Sequence, residues 1–339
     1  MTISRISKST LTGEKNSSIV EANKTRPFSI EYLIVAGGGG GGSGRNNANN
    51  GNGGGGGGAG GLLTNVQSDQ SGGQNTAQPP MYIQTGDSYE VTVGSGGANG
   101  GGANTVTPSN ERYGYGGNKS QFGQIRCRGG AGGGGRNTSP NNNPGMSGGL
   151  FGGSGAIQTS DNYDDEQGSA GGLNFSNYKF GGGGGAGGVG VDYNVNGKDG
   201  GVGLVSTIIT SSEATTYSVG EVSGSDVYFA GGGGSPKSYI GADGSTINGV
   251  GGLGGGGDSV NTTGATAGGT NTGGGGAGGR DRSDGYGWEG SAGGSGVVIL
   301  RYPSEYTISV GAGLTSTTFT QGSNKVTIFT AGDDTVSWS

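Results

Sequence analysis

Histidine is absent from this chain of 339 residues, cysteine occurs once, at Cys127, and only 12% of the residues are charged. Without histidine there is no usual neutral-pH base, no Ser-His or Cys-His nucleophile pair, and none of the commonest zinc ligand. A single cysteine forms no intrachain disulfide and no thiolate metal cluster, and Cys127 reads as a small packed residue rather than a reactive thiol. Apolar residues are scarce as well, at 28%, and no apolar run approaches the roughly 18 residues of a membrane-spanning helix. The opening stretch, Met1 to Thr10, lacks the apolar core of a secretory signal, so a soluble product made in the cytosol is expected.

What the chain has is glycine: 91 residues, together with 8 prolines, where average glycine usage is about 7%. An ordinary globular enzyme domain is excluded, because glycine has no side chain to bury. Two options remain, a disordered low-complexity chain or a fold whose interior is built from backbone. Ordering costs about 1–2 kcal/mol per residue, and glycine loses more freedom than any other residue. Disorder driven by charge, however, goes with high net charge and few aromatics, whereas this chain carries a net −6 with 14 Tyr, 8 Phe and 2 Trp.

The charge is uneven. Residues 1–30 hold 5 Lys or Arg against 2 Asp or Glu, and residues 31–339 hold 13 against 22. That asymmetry suggests two parts with different jobs, although chance in a short segment accounts for it nearly as well. An acidic body without a basic stripe argues against nucleic-acid binding, which depends on Lys and Arg neutralising phosphates.

One arrangement recurs: a short apolar or aromatic segment feeds a glycine run. It occurs at Tyr32 to Ala36 before Gly37, at Ile125 to Arg128 before Gly129, at Tyr178 to Phe180 before Gly181, and at Val227 to Ala230 before Gly231. Near the end the order reverses, with Gly293 to Gly296 leading into Val297 to Leu300. The spacing is irregular, so this is a repeated device and not a solenoid of equal repeats. The apolar segments predict short strands. Leu33, Ile34 and Val35 and Val297 to Leu300 are expected to be buried on both faces, while Tyr89, Val91 and Val93 point to the side opposite Glu90 and Thr92. No glycine-free stretch combines helix formers with a 3.6-residue period, so almost no α-helix is expected.

Glycine runs make poor helices and poor sheets. Left-handed polyproline-II geometry, three residues per turn, is open to them, and with no Cβ several such helices can pack closely and bond N–H to C=O between neighbours. Ala59, Ala131, Ala186 and Ala277 interrupt the runs and are expected at outward or edge positions. Polar insertions at 43–52, 104–128, 136–147, 157–180, 235–248 and 280–288 read as loops at the ends of the packed helices. After Pro303 four strands are expected, at 306–310, 317–320, 325–329 and 335–338. The organisation is therefore an N-terminal segment, 1–30, a glycine-rich polyglycine-II domain, 31–303, and a small antiparallel β-module, 304–339, too small to be stable without docking. The fold class is mostly β, a polyglycine-II sandwich with short strands.

The stretches Tyr32 to Gly42, Tyr89 to Gly97, Val227 to Gly234 and Gly293 to Pro303 resemble the glycine-rich domain of bacteriophage virion proteins, especially those of marine and cyanobacterial phages. The resemblance covers roughly 31–303. It implies a structural virion protein, a tail-fibre or adhesin component whose loops bind a host surface receptor, a glycan or an outer-membrane protein. A purely architectural head fibre, capsid decoration or filament subunit is the alternative. Residues 1–30 would attach the chain to other virion proteins, and release would follow lysis of the host. Homotrimer and monomer are both compatible with such a body. A related module occurs in animal receptor kinases, so the domain alone does not fix function.

No enzymatic activity, cofactor, metal or membrane insertion is expected. Gly145-Met146-Ser147-Gly148-Gly149 fits G-x-S-x-G but lacks any histidine for a triad, and Gly197-Lys198 is followed by Asp199 where a phosphate-binding loop needs Ser or Thr. The acidic group Asp161, Asp164, Asp165 and Glu166 lacks the glycine and terminal glutamate of an EF-hand and reads as a solvated loop. The loop aromatics are the candidate receptor contacts: Tyr113, Tyr115, Tyr163, Tyr239, Tyr286 and Trp288. They sit among Gly, Ser and Asn, a mixture that combines rigid amphipathic contact with adaptable hydrogen bonding. Packing over the ends of the glycine bundle is the equally weighted alternative for these side chains.

Overall fold

The computed structural model describes residues 27–44, 53–101, 113–135, 167–172, 180–192, 198–236, 249–260, 264–280 and 289–339. The described chain is mostly β. Its strands are β1 (Phe28–Val35), β2 (Leu62–Thr64), β3 (Gln70–Ser71), β4 (Asn75–Thr76), β5 (Met81–Ile83), β6 (Ser88–Thr92), β7 (Ser120–Phe122), β8 (Ile125–Cys127), β9 (Leu204–Val205), β10 (Glu221–Ser223), β11 (Asp226–Phe229), β12 (Ser259–Val260), β13 (Gly264–Ala265), β14 (Val297–Pro303), β15 (Ile308–Val310), β16 (Leu314–Gln321) and β17 (Asn324–Trp338). One α-helix, α1 (Ser211–Tyr217), lies among them.

A 10-stranded antiparallel sheet follows the order β2-β1-β14-β17-β6-β7-β8, with β5 on β1 and β15 and β16 on β17. Its centre is buried on both faces, which is why β1 and β14 are near-continuous apolar runs. The period of two divides them between two clusters. Leu33, Val35, Val297 and Ile299 join Leu204, Ile208, Ile209, Val227 and Phe229 on one face. Tyr32, Ile34, Val298, Leu300 and Tyr302 join Phe122, Val336 and Trp338 on the other. Phe28, Tyr89, Phe122 and Tyr302 all pack around the buried Trp338 ring, at tilts of 70–81°. Tyr89, Val91 and Val93 all face this second cluster, as their alternation requires.

The residues after Pro303 contribute three strands where four are expected, because 325–329 and 335–338 belong to the single strand β17. Ser316 pairs with Phe329 and Thr315 with Ala331, leaving Thr330 as an extra residue. A bulge of this kind bends the strand and reverses which residues face inward. Val326 and Ile328 therefore serve one cluster, and Val336 and Trp338, of the same parity, serve the other. β17 bonds β14 and β16 with its first half and β6 and β15 with its second.

Between β5 and β2, which share the same edge of β1, the Asn65 side chain continues the ladder. Its Oδ1 accepts from Tyr32 N–H at 2.7 Å and its Nδ2 donates to Ile30 C=O at 2.8 Å. The helix α1 starts at a capping box in which Thr210 and Glu213 satisfy each other's backbone N–H. Glu213 also accepts from Gln321 Nε2, and Arg301 spans Glu31, Ile208 C=O and Gln321, tying α1 to β1, β14 and β16.

The glycine runs extend from the strand ends. In residues 37–42 the N–H groups donate in turn to Asn118, Gly294, Gly58, Tyr115, Ser291 and Gly55, and the carbonyls accept from Gly130, Gly97, Gly276, Gly133, Gly100 and Gly279, at 2.7–3.0 Å. Every third residue returns to the same neighbouring segment, three residues earlier along a segment that accepts from the run and three residues later along one that donates to it. That is the hydrogen-bond period of a helix with three residues per turn. Three segments accept from this run and three others donate to it, so no backbone polar group of 37–42 is left unpaired.

Glycine is required here by close approach. A Cβ added at any position from Gly37 to Gly42 would collide with a backbone carbonyl of Ser95, Gly274, Ala131, Ala98, Ala277 or Gly134. Three of the four alanines depart from expectation: Ala59, Ala186 and Ala277 are fully buried rather than outward or at an edge, while Ala131 is half-buried. Ala59 and Ala186 belong to the first apolar cluster, where the bundle meets side chains instead of a further run. The apolar side chains, few as they are, thus form two compact clusters beside the bundle.

Candidate functional site

The runs end together. At the end of the bundle away from the sheet, Gly54 N–H donates to Gly279 C=O, Gly55 N–H to Gly134 C=O and Gly234 N–H to Gly257 C=O. Serines placed directly after glycine runs lock this level. Ser43 Oγ donates to Gly100 C=O at 2.6 Å and accepts from Gly290 N–H at 3.2 Å. Ser235 Oγ lies 2.9 Å from both Gly54 and Phe180 carbonyls, and Lys198 Nζ donates to Pro236 C=O. Both serines are buried. The described residues that flank connections 45–52, 102–112, 237–248 and 281–288 are therefore held on one rigid level. The motif that builds it, a serine closing a glycine run, is present in the sequence as Gly42-Ser43 and Gly234-Ser235.

Of the six candidate aromatics, Tyr163, Tyr239, Tyr286 and Trp288 lie outside the described residues, as do Asp161, Asp164, Asp165 and Glu166. Tyr115 and Tyr113 are described. Tyr115 is 55% exposed while its backbone is fixed in the bundle, donating to Ala98 C=O and accepting from Gly40 N–H. Tyr113 is half-buried, and its hydroxyl is buried without a hydrogen-bond partner. The bundle end thus presents one anchored, outward tyrosine next to one tyrosine that packs inward.

A second concave feature lies in the sheet region, where sequence reading placed none. The sheet stops short of closing between β5 and the β7–β8 hairpin, and a cavity of about 760 Å³ opens there, floored by Tyr32 and walled by Pro80, Tyr82, Tyr89, Glu90 and Gln124. Burial pushes the Tyr32 phenol pKa well up, so it stays neutral. Tyr89 Oη accepts from Gln84 N–H at 3.0 Å and keeps its own proton to donate. Residues from five separate stretches meet here, and no local pattern announces that.

Cys127 is fully buried, with its thiol directed at Ile34 C=O, and burial pushes its pKa up, so it is an unreactive packed residue. Among the described residues no group of three or more Cys, Asp or Glu could hold a metal ion, and no helix is long and apolar enough to cross a membrane.

The glycine-rich domain model matches residues 20–303. Searches of the curated proteins and of the solved structures give no match.

Proposed function

The chain belongs to the glycine-rich domain family, and we propose that it is a structural virion protein of a bacteriophage, a tail-fibre or adhesin component that contacts the host cell surface. In this reading the runs are polyglycine-II helices forming a rigid platform. The connections between them meet a glycan or an outer-membrane protein, and residues 1–30 join the chain to the particle. The role is non-catalytic, and the protein leaves its host with the virion at lysis.

The observation that supports this reading is the common level on which the run ends are locked. Recognition segments bind tightly only if their anchors do not move, because loop ordering is a cost of association. Here each anchor is fixed by backbone bonds on both sides, as at Gly42, which donates to Gly55 and accepts from Gly279. The family match by itself is silent on phage and host.

Purified protein added to susceptible cells is expected to bind them and to compete with infection by the phage that encodes it. Absence of both effects, with antibody labelling of the protein on the head or away from any host-facing tip, would replace this reading with the architectural one.

A further inference from the structure

We propose that the cavity between β5 and the β7–β8 hairpin is a binding site for neutral oligosaccharides. It lies in the sheet region, apart from the bundle end, and does not depend on the virion reading.

The chemistry of the walls carries the inference. Tyr82 is 62% exposed although it sits in a strand, paired opposite Ser29, with its flanking Ile83 fully buried. The backbone is therefore fixed while the ring stays open to a ligand. An anchored, exposed aromatic face of this kind suits the C–H face of a sugar ring. Around it stand hydroxyl and amide groups, on Ser88, Tyr89, Gln78 and Gln124, and the carboxylate of Glu90. Glu90 Oε2 accepts from Gln121 Nε2 at 2.9 Å, which orients the carboxylate.

Charge and polarity narrow the class. Glu90 is the one charged residue of the lining and no Lys or Arg lines the cavity. Lys119 Nζ stands behind it, on the Oε1 of the Gln121 that bonds Glu90, so phosphates, sulfates and acidic sugars meet a carboxylate with no cation of the lining to pair with. A wholly apolar ligand would strip water from the amides and the carboxylate without replacing their hydrogen bonds. A neutral sugar satisfies both demands, and about 760 Å³ falls within the size of small-molecule sites and leaves room for more than one ring. Pro79 and Pro80 sit at the entry to β5, where they remove backbone donors and blunt this edge against an added peptide strand.

The test uses the full chain on an array of neutral and acidic oligosaccharides, with a proline-rich peptide included, followed by calorimetric titration of the best neutral hit. Selective binding of neutral glycans is expected. Tyr82→Ala should weaken it by about tenfold or more and Glu90→Gln by a smaller factor, while Val250→Ser, at a remote exposed position, should leave it unchanged. Both cavity side chains are exposed, so an unaltered melting midpoint separates lost binding from lost fold. No glycan binding, binding of acidic glycans alone, binding of the peptide alone, or full affinity in Tyr82→Ala would overturn the proposal. None of these outcomes bears on infection, so the virion reading stands or falls separately.

Discussion

Residues 30–35 and 37–42 are adjacent in the chain and obey opposite packing rules. In the first stretch every side chain from Tyr32 to Val35 is buried in one of two apolar clusters. In the second there are no side chains, and any added Cβ meets a carbonyl. Both stretches leave no buried backbone group unpaired, and they differ in how many directions that takes. A strand bonds to two neighbours in one plane and keeps both faces for side chains. A run bonded to six segments about its axis has no face left. Glycine is thus the only residue whose backbone can be surrounded, and the bundle's cohesion comes from hydrogen bonds and close C–H to O approaches rather than from apolar area.

The largest expected effect attacks the bundle. Gly40→Val places a branched side chain against the Ala98 carbonyl, a backbone group that cannot turn aside. Overpacking usually costs about 1–3 kcal/mol, and a fixed lattice should put this substitution at or beyond the upper end. Strong loss of soluble protein or a large drop in melting midpoint is expected. The thiol of Cys127 provides an independent readout in the other region. If bundle and sheet are one cooperative unit, joined by continuous chain at β1, β2, β6, β8 and β14, this variant should also expose Cys127 to a thiol reagent. A protected Cys127 in an otherwise melted variant would show that the two regions are separable.

Next in size, Trp338→Ala should cost about 3–5 kcal/mol through the cavity it opens among Phe28, Tyr89, Phe122 and Tyr302. Trp338→Phe should cost far less, because the indole Nε1 is buried without a hydrogen-bond partner and its loss removes an unmet donor. Equal costs for the two variants, measured by denaturant unfolding, would contradict that account. Thr210→Ala removes one half of the α1 capping box and should cost about 1 kcal/mol, while leaving Cys127 unreactive under native conditions.

The smallest effect is a pH dependence. Asp334 has its pKa lowered, first by the Gly313 N–H and then by the Thr335 N–H. A depressed carboxyl pKa stabilises the fold above the ordinary carboxylate range, and that contribution is lost as pH falls through the lowered value. Melting midpoints of the wild type and Asp334→Asn should differ slightly at neutral pH and converge in acid. A difference that grows on acidification would refute this assignment.

Much of the β region was legible. Leu33 to Val35 and Val297 to Leu300 predict strands buried on both faces, and they lie side by side in β1 and β14. The alternation of Tyr89, Val91 and Val93 gave the inward side of β6. One short helix agrees with an expectation of almost none; α1 starts at a capping box spelled by Thr210-Ser211-Ser212-Glu213, but too few residues follow to form a periodic face that would place it. The sequence divides β17 in two because the bulge at Thr330 breaks the period that identifies a strand. At the bundle end the Gly- and Asn-rich surroundings single out Tyr115, and the structure shows it exposed, whereas the cavity wall of Tyr82, Glu90 and Gln124 has no local signature.

The sequence by itself determined that backbone would have to do the work of side chains wherever the 91 glycines gather in runs, and that strands would feed the runs. Only the tertiary structure decided which runs neighbour which, where a methyl is tolerated, and that scattered tyrosines and amides share one cavity. The reason is that glycines are chemically identical: a run encodes its own period of three, but its partners are chosen by the strands that deliver it and by the serines and alanines at its ends.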